Sequence, residues 1–94
     1  MDTVILVHET DNKGSFYVEK DGERLAEMTF SKAGSDKIII DHTEVSDVLR
    51  GTGMGAKLVE CAVEYARKNK VKIIPLCPFA KATLKRHQEW NDVL

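Results

Sequence analysis

The stretch Arg50-Gly51-Thr52-Gly53-Met54-Gly55 stands where the hydrophobic period of this sequence changes. From Gly53 to Asn69 the period is helical. Leu58, Val59, Ala62 and Ala66 make an apolar stripe, and Lys57, Glu60, Glu64, Arg67 and Lys68 take the opposite face. Glu64 and Lys68 form a favourable i,i+4 pair on that polar face. Upstream the period is that of strands, so the glycines join a strand to a helix. A helix start carries unpaired backbone N–H groups and a partial positive charge, and both attract phosphate. Glycine lets the backbone take positive φ and approach a ligand closely, and three glycines within five residues exceed what a plain turn needs.

Working back from that turn, Lys37 to Val45 reads as a strand, preceded by a loop containing Gly34. Arg24 to Phe30 alternates and puts Ala26, Met28 and Phe30 together, while Asp21-Gly22 is strong hairpin chemistry. Ser15 to Lys20 alternates as well, with Phe16 and Val18 on one face and Tyr17 and Glu19 on the other. Asp11-Asn12-Lys13-Gly14 is a turn, and Val4 to His8 is the first strand. Downstream, Val71 to Leu76 reads as a short strand buried on both faces, its pairing limited by Pro75 and Pro78. A last helix is expected from about Ala80 to Trp90. The order is β-β-β-β-α-β-α. Strand four, the first helix and strand five make one βαβ crossover, expected to be right-handed with its two strands parallel. The fold class is α+β, with a mostly antiparallel sheet and a single domain over residues 1–94.

A chain of 94 residues buries roughly 60–70% of the surface its unfolded state exposes, enough for one core. With 43% hydrophobic and 31% charged residues the composition is that of a globular protein and excludes a disordered one. Fourteen basic against fifteen acidic residues give a formal charge of −1, which offers no basic excess for nucleic acid. The longest aliphatic run, Val4-Ile5-Leu6-Val7, falls far short of the roughly 18 residues of a membrane span. Met1-Asp2-Thr3 lacks the basic region of a leader, and Cys61 and Cys77 are too few for a disulfide scaffold. The cytoplasm is the expected compartment.

Two phosphate-binding patterns do not fit the turn. A P-loop places glycine before its lysine and Ser or Thr after it, where this chain has Ala56-Lys57-Leu58. Gly51, Gly53 and Ala56 meet the loose dinucleotide fingerprint, but the acidic residue wanted near the next strand's end is replaced by Leu76-Cys77-Pro78. What fits is Arg-x-x-Gly-x-Gly at Arg50, Gly53 and Gly55, with Val45 five residues before Arg50. With Asp41-His42-Thr43-Glu44-Val45 and Ile73-Ile74-Pro75-Leu76-Cys77-Pro78-Phe79, the chain resembles the GCN5-related N-acetyltransferases. In particular it is similar to a subfamily of very small, single-domain members, over about residues 15 to 90.

The resemblance implies acetyl-CoA as cosubstrate, lying where strands four and five splay apart. Its pantetheine arm would follow the backbone of Glu44 and Val45. The N–H groups of Gly51, Thr52, Gly53, Met54 and Gly55 would hold the pyrophosphate, Arg50 would add charge, and Cys77 would approach the thioester. Lys81, Lys85 and Arg86 are candidates for the nucleotide end. Two features depart from the family. Only Asp11 to Gly14 stands where larger members wall the acceptor site, which leaves that side open to a peptide, protein or small amine. The tyrosine that often protonates the leaving thiolate is replaced by Thr83-Leu84.

Transfer to an amine needs a base and oxyanion donors. His42 and Glu44, two apart on a strand, are expected to share a face with Ile38 and Ile40 and are the candidate bases. Cys77 stands at the expected helix start, where N–H groups lower a thiol's pKa, and is a candidate nucleophile for a ping-pong route. Cys61 is expected in the core, and Trp90 to pin the last helix. His8 and His87 have no partners at metal-ligand spacing, so no metal is expected. An open-sided acetyl-CoA-dependent N-acetyltransferase, a non-catalytic CoA or acetyl-CoA-binding module and a scaffold with a merely structural turn all stand open. The expected state is a monomer, or a weak dimer through an exposed final strand.

Overall fold

Phe16 and Val18 on one strand and Ala26, Met28 and Phe30 on the next occupy alternate positions, so pairing the strands gathers all five on one face. In the computed structural model, which describes residues 4–94, each of them is at most 5% exposed. Met1-Asp2-Thr3, read above for a leader's basic region, lies outside the described residues. Strands β1 (Leu6–Glu9), β2 (Lys13–Lys20), β3 (Glu23–Ala33) and β4 (Lys37–Val45) form an antiparallel meander. A 3-10 turn at Asp47–Leu49 leads into helix α1 (Met54–Asn69), strand β5 (Lys72–Pro75) and helix α2 (Pro78–Arg86). The sheet order is β1-β2-β3-β4-β5, with β5 parallel to β4, as the βαβ pattern requires. Asp21 and Gly22 both have positive φ, 53° and 81°, which suits the right-handed twist of the β2–β3 hairpin.

One apolar face of the sheet meets one apolar stripe. Leu58, Val59, Ala62, Val63 and Ala66 of α1 are fully buried against β2 to β5, and Ala80 and Leu84 of α2 join the same cluster. The Phe16 and Phe30 rings stack at 5.1 Å, and Tyr65 of α1 closes the group at 5.3 Å from Phe30. The other face of the sheet carries alternate residues of β2, β3 and β4, and none of the buried apolar residues of the helices packs there.

Five expectations are corrected. Strand β1 begins at Leu6 rather than Val4, and β2 begins at Lys13 rather than Ser15. Thr10 makes the turn by exchanging hydrogen bonds with Lys13, and Gly14 is already in register with Phe30, whose ring fills the space a Cβ there would need. Strand β5 is buried on one face only: Ile73 is 2% exposed and Ile74 is 37% exposed, because both helices lie on the same side. The last helix stops at Arg86. His87 leaves helical geometry, stacks on the buried Trp90 at 4.1 Å, and starts a 3-10 segment over Gln88–Val93.

The fifth correction concerns the faces of β4. Phe30 pairs with Ile40 but Thr29 pairs with His42, so Asp41 is an extra residue, a β-bulge. The bulge reverses the alternation. Thr43 and Val45, opposite the buried Met28 and Ala26, continue the face of Ile38 and Ile40, whereas His42 and Glu44 point to the uncovered side.

Arg67 of α1 anchors the C-terminal segment, with two hydrogen bonds to the Asp92 carboxylate at 2.8 and 3.0 Å and one to the Glu89 carbonyl at 2.8 Å. The Arg67 hydrogen bonds hold the Asp92 carboxyl below the usual carboxylate range. A lowered native pKa stabilises the fold above the unfolded value and is lost as pH falls through the native one. Asp92→Asn is therefore expected to unfold at lower denaturant than the parent at neutral pH, and the gap should narrow and close as pH falls through and below the usual carboxylate range. Denaturant midpoints across that range check it. Leu58→Ala, which empties a fully buried position, is expected to cost about 2–5 kcal/mol by the same measurement.

Candidate functional site

Parallel pairing of β4 with β5 lasts only from Lys37–Lys72 to Ile40–Pro75. There the Leu76 and Cys77 N–H groups both donate to the Ile40 carbonyl, at 3.1 and 3.2 Å, and Pro78 opens α2. Strand β4 runs on through Asp41–Val45 with β3 on one side and no strand on the other. The strands therefore part at the bulge, and peptide groups of Asp41–Val45 line the gap.

At one end of the gap lies the glycine turn. Gly51 and Gly53 have φ of 80° and 79°, a conformation in which other residues are strained, and a Cβ at either would meet open space. Lys57 is the residue whose N–H reaches back to the Gly53 carbonyl, at 3.1 Å, so the N–H groups of Met54, Gly55 and Ala56 in the first turn of α1 lack helical acceptors. Thr52 is engaged differently. Its N–H and its hydroxyl both go to the Leu49 carbonyl, so that amide holds the turn together rather than facing outward. Gly55 has ordinary helical geometry, and what requires glycine there is the Phe79 ring, which occupies the place of a Cβ. A groove of about 300 Å³ follows, lined by Val45, Arg50, Gly51, Gly53, Gly55 and Phe79, with Met54 buried at its base and Arg86 at its rim. Lys81 is exposed on the first turn of α2, outside that lining, so the basic residue that α2 brings to the groove is Arg86. Arg50 is largely exposed and paired with Asp47 at 3.0 Å.

At the other end is Cys77, 6% exposed and N-capping α2. Its thiol donates to Thr43 Oγ1 at 3.3 Å. Burial pushes the Cys77 thiol up, but hydrogen bonding to the Thr43 hydroxyl and to backbone groups of Ala80, Phe79 and Thr43 outweighs it, and the net shift is downward. Cys61 on α1 goes the other way, raised by burial and by Glu64 and Glu60. Thr83, near the expected position of a tyrosine acid, is buried and donates its hydroxyl to the Phe79 carbonyl at 2.9 Å.

His42 and Glu44 are brought together, Nε2 to Oε1 at 2.9 Å, and both stand in solvent. They do not share the Cys77 side of β4; Thr43, between them in sequence, does. Sequence patterning passed over Thr43. The available signal was the adjacent polar pair Asp41-His42 after Ile40, where strict alternation fails. A second cavity, of about 450 Å³, adjoins the groove through Val45 and Arg50 and includes Glu27, Thr43 and Glu44. Among the described residues no group of three His, Cys, Asp or Glu side chains is arranged to hold a metal, and no helix is long and apolar enough to cross a membrane.

Comparison with known proteins bears on this arrangement. A family profile described as GCN5-related N-acetyl-transferase matches residues 15–93. A GCN5-like protein from Staphylococcus aureus, known from its solution structure, is 42% identical, with 94% of this chain and 85% of that one covered and a TM-score of 0.72. The ribosomal-protein-alanine N-acetyltransferase of Brucella melitensis is 15% identical, with 83% and 62% covered and a TM-score of 0.66. A GNAT family acetyltransferase from Elizabethkingia anophelis with acetyl-CoA bound is 12% identical, with 84% and 53% covered and a TM-score of 0.62. The last two share the fold alone, and this chain spans little more than half their length. No curated protein matches the sequence. A profile over most of the chain and a relative at this identity settle its membership: the chain belongs to the GCN5-related N-acetyltransferases.

Proposed function

We propose that this protein transfers acetyl from acetyl-CoA to an amine by way of Cys77, on an acceptor side left open. The observation that carries the proposal is the gap between β4 and β5, with phosphate-seeking N–H groups at one end and, at the other, the Cys77 thiol capping α2 and hydrogen-bonded to Thr43. The pyrophosphate would sit on the α1 start, with Gly51 and Gly53 allowing close approach and Arg50 and Arg86 adding charge. The pantetheine arm would add to the free edge at Glu44 and Val45 as a strand does. In the first step the Cys77 thiolate adds to the acetyl carbonyl. A carbon–sulfur bond forms to Cys77, the bond to CoA breaks, and CoA leaves as a thiolate. In the second step a neutral amine adds to the Cys77 thioester, the carbon–nitrogen bond forms, and the Cys77 thiolate is released. The amine's proton leaves to water, because His42 and Glu44 point to the face of β4 away from Cys77.

A second function, a CoA or acetyl-CoA-binding module without catalysis, is favoured by one observation: the Thr83 hydroxyl is buried and already bonded, so no side chain there replaces the family's tyrosine acid. Mass spectrometry after incubation with acetyl-CoA separates the two. Transfer through Cys77 predicts a hydroxylamine-labile acetyl adduct that Cys77→Ser abolishes while CoA binding survives. An unmodified chain that binds acetyl-CoA supports the module.

Two further outcomes are expected. In the folded Gly53→Ala variant the Cβ stands in the ligand's approach, and losing one charge-assisted hydrogen bond of about 1.5–3 kcal/mol should weaken CoA binding roughly ten- to a hundred-fold. The strain at φ 79° adds about 1–2 kcal/mol of destabilisation, which thermal unfolding would measure separately. Alkylation by iodoacetamide should rise with pH around a lower midpoint for Cys77 than for Cys61, read by peptide mapping at each pH.

A further inference from the structure

Thr43 joins two parts of the molecule that the sequence keeps apart. It lines the 450 Å³ cavity, and its Oγ1 accepts a hydrogen bond from the Cys77 thiol at 3.3 Å. The bulge at Asp41 makes this contact, by turning Thr43 to the face of the buried Met28. Cys77 caps α2, yet its side chain makes no capping bond to the helix, so Thr43 is the partner that holds the neutral sulfur in one direction. Burial pushes the thiol up, and the Thr43 hydroxyl is the largest influence the other way. A hydroxyl donates as well as accepts, and Thr43 Oγ1 donates to nothing else among the described residues. Its β-branched side chain is stiff at χ1, which presents the hydroxyl at little cost in order.

Charged groups do not take this part. On β4, Asp41 accepts from Ser31, and His42 and Glu44 pair with each other on the bare face. On β5, Lys72 reaches the Asp92 carbonyl. Lys57 and Glu60 on α1 and Lys81, Lys85 and Arg86 on α2 are exposed.

We infer that Thr43 is the positioning residue for the Cys77 nucleophile, its hydroxyl aiming the thiol and then turning to donate to the sulfur once the proton has left. The inference rests on the Cys77 route proposed above and adds the group that prepares it. On ionisation the S–H bond breaks, the proton goes to water and the sulfur keeps the electron pair, which the Thr43 hydrogen then meets. The same donor meets the sulfur again when the amine displaces Cys77 as a thiolate.

Iodoacetamide alkylation of the full chain without acetyl-CoA, mapped by peptide at each pH, tests this. Thr43→Val keeps the branched shape and removes the hydroxyl. Net of the neutral bond, a hydrogen bond to an ion is worth roughly tenfold in thiolate population, and the more basic sulfur regains about three-fold in nucleophilicity. Alkylation of Cys77 at neutral pH should therefore fall about three-fold, with its midpoint raised. Thr43→Ser restores a hydroxyl and should return both toward the parent, while Cys61 stays unchanged in every variant. Thr43→Ala repeats the loss with a smaller side chain, so if thermal unfolding shows one variant misfolded, the other decides. An unmoved Cys77 midpoint in a folded Thr43→Val or Thr43→Ala, no recovery in Thr43→Ser, or an equal shift at Cys61 would each overturn the inference. Intact mass after acetyl-CoA reads the function separately. An adduct in the parent with unmoved alkylation in Thr43→Val refutes the positioning role alone. A raised midpoint in Thr43→Val with no adduct in the parent refutes transfer through Cys77 and leaves the hold of Thr43 on the sulfur standing.

Discussion

The carbonyl of Ile40 is the point on which the molecule turns. Two successive N–H groups, from Leu76 and Cys77, converge on it, and that double engagement ends the parallel ladder. The chain then has no N–H to give at Pro78, whose fixed φ suits the first position of a helix, so α2 starts at once and Cys77 becomes its cap. One residue after Ile40 on the other strand, Asp41 bulges and reverses the faces of β4. The open edge, the thiol at a helix start and the outward aim of Glu44 all follow from these few peptide groups.

The two ends of the gap are coupled through packing. Phe79, two residues beyond Cys77, lays its ring over Gly55 in the first turn of α1. The start of α2 and the glycine turn therefore share a contact that a larger side chain at Gly55 would break. Gly51 and Gly53 serve conformation, whereas Gly55 serves fit, so the three glycines of one motif answer to two different physical demands.

Much of this was legible in the sequence. Residues Lys37 to Val45, the helix beginning after Gly53 and the hairpin at Asp21-Gly22 were bounded within a residue, because periodicity and turn chemistry are local. Cys77 was legible as lying between the last strand and the last helix, although that helix starts at Pro78 rather than about Ala80, which makes Cys77 its cap. The bulge was not, since it is fixed by pairing with β3, and without it His42 and Glu44 were assigned to the wrong face. The end of α2 was missed for a similar reason: the stacking of His87 on Trp90 and the grip of Arg67 on Asp92 are tertiary contacts that override a continuing helical pattern. Composition also could not tell Lys81 from Arg86, because only the turn of α2 against the groove decides which basic side chain faces it.

A sheet covered on one side only separates two kinds of mutational freedom. Residues on the covered face, such as Met28 and Ile40, are fully buried, and changing their volume costs stability. Residues on the bare face fill no core, and surface substitutions of that kind usually shift stability by no more than about 0.5 kcal/mol. Successive exchanges at positions such as Tyr17, Thr29 and Glu27 can thus accumulate without refolding the domain or touching the glycine turn. A scaffold of 94 residues built this way can diversify one surface while the other stays fixed, and its evolutionary drift should be written mainly in alternate residues of β2 and β3.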